Sequence, residues 1–100
     1  MARFLVTYHG PGMPDDPAMV EQAKAAFGTW VQQKSAAIVD PGAPVRMTAQ
    51  VANGTPVQAM EIGGYSIIQA DSAEAAKEVL AGHPYVARGG TLQVNQIVDV

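Results

Sequence analysis

The sequence predicts a single α+β domain over residues 1–100, in which an antiparallel sheet carries two helices on one face. Three observations lead there. Apolar residues recur in the order strand, helix, one or two strands, strand, helix, strand. Both helical stretches open on a capping residue and stop near glycine or proline. With 48% hydrophobic and 15% charged residues, the chain has the apolar content of a packed core and not that of a disordered tail.

The first element is a strand at Arg3–Tyr8, where Phe4, Val6 and Tyr8 share one face and Leu5 and Thr7 the other. Gly10-Pro11-Gly12-Met13-Pro14 breaks it. Asp16 then caps a helix over 17–34, with Pro17 at its first position and an apolar stripe of Val20, Ala23, Phe27, Trp30 and Val31. Ala36–Val39 is a short buried strand that ends at the turn Asp40-Pro41-Gly42-Ala43-Pro44. Val45–Val51 alternates apolar with polar and predicts a half-exposed strand, turned at Asn53-Gly54. Gln58–Ala70 continues as a strand with a bulge at Gly63-Gly64. Asp71-Ser72-Ala73-Glu74 forms a capping box for the second helix, which carries Ala73, Ala76, Val79 and Leu80 and ends at Gly82 and Pro84. Thr91–Val100 is the last strand, with Leu92, Val94, Val98 and Val100 on one face. This order is that of a ferredoxin-like βαββαβ sheet.

Such a sheet leaves one face without helices, and only a second sheet covers it well. Charge is also scarce, 15% against about 25% in an average domain. Together these predict a homodimer joined sheet to sheet, a dimeric α+β barrel with pockets at its ends between the first helix and the sheet. The net charge of −3, with no cluster of lysine or arginine, excludes a nucleic-acid backbone binder. No apolar run reaches the length of a membrane span, and the N-terminus lacks a signal-peptide core. The absence of cysteine excludes disulfides, thiolate nucleophiles and cysteine metal sites. The expectation is a cytoplasmic domain with no cofactor.

Few groups can carry chemistry. His9 and His83 are the two histidines, and no ligand spacing surrounds them, so no metal site is expected. No Gly-x-Ser-x-Gly elbow, P-loop or dinucleotide fingerprint is present. Acid–base chemistry has better candidates: an unperturbed imidazole titrates near neutrality, which points to His83, with Asp40 at a strand end as its partner. Tyr8, His9 and Trp30 are the candidate ligand-binding residues. The plain structural readings stand beside these, with Asp40 as a turn former, His83 as a cap before Pro84 and Trp30 as core.

Gly64-Tyr65-Ser66-Ile67-Ile68-Gln69-Ala70-Asp71-Ser72-Ala73-Glu74-Ala75-Ala76, then His83-Pro84-Tyr85 and Gly89-Gly90-Thr91-Leu92-Gln93-Val94, resembles the YCII-related family. Tyr8-His9-Gly10, Trp30 and Ile38-Val39-Asp40-Pro41-Gly42-Ala43-Pro44 extend the resemblance over nearly the whole chain. It implies a dimeric α+β barrel of ferredoxin-like protomers. It also implies a pocket with a histidine–aspartate pair, in a family where most members have no assigned reaction. The family's aspartate before proline is matched here by His83, and its helix-1 histidine has no counterpart in Phe27-Gly28-Thr29-Trp30-Val31-Gln32. The Asp-Gly-Pro-Phe motif of the branch linked to alternative sigma factors is absent. Two functions follow as expectations. The first is binding of a small, partly apolar molecule in a pocket of the homodimer, with acid–base catalysis by His83. The alternative is a non-catalytic interaction module or regulatory accessory protein.

Overall fold

A computed structural model describes residues 1–100. Strands β1 (Ala2–His9), β2 (Ile38–Pro44), β3 (Gly64–Ala70) and β4 (Thr91–Gln96) form one antiparallel sheet in the order β2-β3-β1-β4. Helices α1 (Pro17–Gln33) and α2 (Ala73–Leu80) pack on one face, and a single helical turn, α3 (Pro84–Ala87), precedes β4. This is the α+β, ferredoxin-like arrangement. No helix is long and apolar enough to cross a membrane.

The alternation within β1 decides which face meets the helices. Phe4 and Val6 are buried there with Ile68 and Ala70 of β3, and Trp30, Ala76 and Leu80 close the core from the helices. Trp30 is the one buried residue of α1, anchored by its indole N–H to the Val79 carbonyl at 3.4 Å. The opposite face carries Leu5, Thr7, Tyr65, Ile67, Gln93 and Asn95 in paired registers.

The helix starts follow local chemistry. Asp16 Oδ1 accepts from the Ala18 amide at 2.8 Å, and Pro17 takes the first position. At α2 the cap is Ser72, whose hydroxyl accepts from the Ala75 amide at 3.1 Å, one residue later than the expected Asp71.

Three element boundaries differ from the sequence reading. The Asp40–Pro44 turn lies inside β2 as an irregular stretch, with register shifts between Ile38 and Asp40 and between Asp40 and Ala43. An edge strand tolerates Pro41, which has no amide to offer a ladder. Gly42, at φ +79°, makes the bend, and a Cβ there would fall on the Tyr65 carbonyl. The alternating stretch Val45–Val51 finds no partner strand and stays exposed, so β3 begins only at Gly64. Finally, β4 stops at Gln96: beyond it one ladder bond remains, from the Ile97 amide to the Arg3 carbonyl at 2.9 Å, and the register leaves no β1 residue opposite Val100.

Candidate functional site

The C-terminal end of β1 brings the chemistry-bearing side chains together. Tyr8 points to the helix side of the sheet, in register with Gly64 and next to Ser66 on β3. His83 is the N-cap of α3: its Nδ1 accepts from the Tyr85 amide at 3.0 Å, and only 2% of the residue is exposed. Trp30 packs on the imidazole with ring centroids 4.3 Å apart, and Phe27 and Tyr8 close two further sides at 5.7 and 5.1 Å.

The hydrogen bonds fix every proton. Because Nδ1 of His83 accepts, the neutral ring carries its proton on Nε2, which donates to Tyr8 Oη at 2.8 Å. Tyr8 then donates to Ser66 Oγ at 2.7 Å, and Ser66 donates to the Pro41 carbonyl at 2.7 Å. The buried side-chain polar atoms are all partnered. Burial, and then the positive charge of Arg88, lower the His83 pKa from 6.5 to about 4, so the ring is neutral at pH 7. Burial raises the Tyr8 pKa, with the Ser66 hydrogen bond opposing.

Beside this chain opens a cavity of about 520 Å³. Tyr8 and Tyr85 form one wall, and Met19, Ala23 and Phe27 of α1 form another. The loop Gly10–Pro14 and the residues Pro44, Gly63 and Gly64 complete it. Its charged lining residues are Lys24 and Arg88, and no carboxylate lines it. Arg88 lies over the Tyr85 ring, its guanidinium 5.2 Å from the centroid, and donates to the Gly12 carbonyl at 3.4 Å. Tyr85 is held from its other end by its hydroxyl, which donates to the Pro11 carbonyl at 2.9 Å. Gly90 lies directly against the Tyr85 ring, where any Cβ would overlap it. No cluster of three or more histidine, aspartate or glutamate side chains is placed to hold a metal ion.

Of the residues the sequence singles out, Tyr8, His83 and Trp30 are brought together, and Tyr8 alone lines the cavity. Asp40 does not meet His83: its Oδ1 accepts from the Gly42 amide at 2.8 Å, an Asx turn that shapes the bend in β2. The backbone carbonyl of the next residue, Pro41, is what joins the chain. His9 points to the helix-free side, donating from Nδ1 to the Glu61 carbonyl and accepting at Nε2 from Thr7, both at 2.8 Å. Trp30 is core. Ser66, Tyr85 and Arg88 belong to the site and were not among the sequence candidates. A serine at an inward strand position between Gly64 and Ile68 is the available signal for Ser66, since a buried hydroxyl requires a partner.

Comparison with models of known protein families gives no match, and no curated relative matches either. Among solved structures the chain is similar to 5-chloro-2-hydroxyhydroquinone dehydrochlorinase (TftG) from Burkholderia phenoliruptrix AC1100, in complex with 2,5-dihydroxybenzoquinone. The match has a TM-score of 0.56 and 15% identity, and covers 93% of this chain and 91% of that one. At that identity the likeness shows a shared fold.

Proposed function

We propose that this chain is a YCII-like protein that acts as a homodimer and binds a small, flat, largely apolar molecule carrying a negative charge. The observation that carries this reading is the cavity itself: apolar walls, two cationic side chains, no carboxylate, and one wall made by Tyr8 with its hydroxyl held by a buried hydrogen-bond chain. An anion near Arg88 is attracted to a guanidinium already held over the Tyr85 ring, and the α1 side chains take the apolar body. The similarity to an enzyme solved with a quinone on the same fold supports a small-molecule ligand.

In this reading His83 is a positioning residue for Tyr8. Its Nε2 proton is committed to Tyr8, and its Nδ1 faces an amide that only an unprotonated nitrogen can accept from. The acid–base reading, with His83 as catalyst, makes a different demand: turnover that follows the titration of the imidazole.

Titration calorimetry with 2-naphthoate and the neutral 2-naphthamide tests the proposal. The carboxylate is expected to bind about tenfold more tightly at low salt, and Arg88→Gln to remove the difference. Equal affinities in the native protein, or no binding of either, would overturn the ligand assignment. Any turnover of a bound probe that fell as pH dropped through about 4 and vanished in His83→Gln would favour the catalytic reading.

A further inference from the structure

Residues 45–63 leave the sheet between β2 and β3, and every one of them is exposed. Val51 is 101% and Val57 82% exposed, and Met47, Met60 and Ile62 are also open to solvent. Between residues 46 and 60 a single hydrogen bond, Gln50 Nε2 to the Val57 carbonyl at 3.3 Å, holds the segment. Its root is fixed, by the Val45 amide to the Gly63 carbonyl at 3.1 Å and by His9 to Glu61 at 2.8 Å. Arg46 and Glu61 are its only charges. An isolated chain has no reason to hold such a segment away from its own core.

The surface area agrees. A compact 10.4 kDa monomer exposes about 5,400 Å², whereas this chain exposes 6983 Å². The excess, roughly 1,600 Å², exceeds the ~800 Å² per partner of a standard interface. The radius of gyration, 14.8 Å, also exceeds the ~13 Å of a compact domain this long.

We propose that residues 45–62 are an arm that packs its apolar side chains across the helix-free sheet face of a second copy of this chain, the two arms exchanged about a two-fold axis. That face offers half-buried Leu5, Tyr65 and Ile67 among mostly neutral neighbours, so it is apolar where the arm is apolar, and its Arg3 is opposite in sign to the arm's Glu61. The inference rests on the homodimer reading above and departs from the sheet-to-sheet contact the sequence predicts: the arm of one copy, and not its sheet, covers this face of the other.

Sedimentation of the native protein and of Val51→Asp/Val57→Asp at micromolar concentration tests it, both side chains being exposed in the protomer. The native chain is expected to be a dimer, and the variant to dissociate at least 100-fold more readily with its near-ultraviolet circular dichroism retained. A native monomer at 100 μM would overturn the dimer reading and the arm together. A native dimer with an equally dimeric variant would overturn the arm alone. A second readout does not depend on the variant's folding: spin-labelled Val51→Cys, the chain's only cysteine, mixed with 15N-labelled native protein. Broadening of the Leu5 and Ile67 amides on the labelled copy is expected, and its absence from a mixed dimer would overturn the placement.

Discussion

Stability should fall as pH drops from 6.5 to 4, and His83 should account for a defined share of the fall. Unfolded, the imidazole has its ordinary value near 6.5; folded, burial and Arg88 lower it to about 4. Between those values the unfolded chain holds more protons than the folded one, so stability rises with pH through the window. The contribution is complete above 6.5 and lost by about 4. A shift of this size has a ceiling set by about 1.4 kcal/mol per unit, and screening near Arg88 and the cavity brings the expected share to about 2 kcal/mol. The protonated ring would also set an Nδ1 proton against the Tyr85 amide, which gives the same sign. For a chain of this length 2 kcal/mol corresponds to about 10 °C in melting temperature. The assay is urea unfolding at pH 7.5 and 4.5, at fixed protein concentration, for the native chain and His83→Gln. Carboxylates titrate in both, so the difference isolates the imidazole. Parallel losses in the two proteins would refute the buried, neutral His83.

Two glycines make independent tests of the site's frame. Gly90→Ala places a methyl group on the Tyr85 ring, so the ring must move off, at a cost of about 1–3 kcal/mol in urea unfolding, and weaker binding of 2-naphthoate should accompany it. Gly42→Ala asks a left-handed backbone, φ +79°, to carry a Cβ that overlaps the Tyr65 carbonyl. A loss of at least about 2 kcal/mol is expected from strain and overlap, again by urea midpoint. Unchanged midpoints would contradict the described bend.

The helix-facing sheet and the cap of α1 were legible because they rest on local rules, while the cap of α2 sits at Ser72, one residue past the expected Asp71. Phe4, Val6 and Tyr8 alternate with a period of two, and Asp16-Pro17 announces a helix regardless of what surrounds it. Val45–Val51 has the same alternation, yet no strand forms, because a pattern states which face is apolar and not which partner covers it. The site was legible only in part. Tyr8, His83 and Trp30 do meet, while Asp40 as a partner for His83 required long-range placement that spacing cannot supply. Aspartate before Pro41-Gly42 satisfies itself on the next free amide, Gly42, and a side chain so engaged does not reach across the sheet. Ser66 was passed over because its partners, Tyr8 and the Pro41 carbonyl, come from segments far apart in the chain.

The order of protons along the chain leads to a last prediction about the ligand. Tyr8 Oη accepts from His83 and donates to Ser66, which leaves it one lone pair and no free proton. Ser66 cannot pass a proton on, because its own donor ends on the carbonyl of Pro41. Nor can His83 release its Nε2 proton without becoming an anion in a buried site. The Tyr8 end of the cavity is therefore built to receive a hydrogen bond. A ligand with a donor there and an anion toward Arg88 satisfies both ends, so 6-hydroxy-2-naphthoate should bind more tightly than 6-methoxy-2-naphthoate. One neutral hydrogen bond is worth about 1 kcal/mol, or roughly fivefold, and Tyr8→Phe should bring the two ligands level. If the methoxy compound bound as well as the hydroxyl compound to the native protein, Tyr8 would have a proton to spare, and the direction assigned to the whole chain from His83 to Pro41 would be wrong.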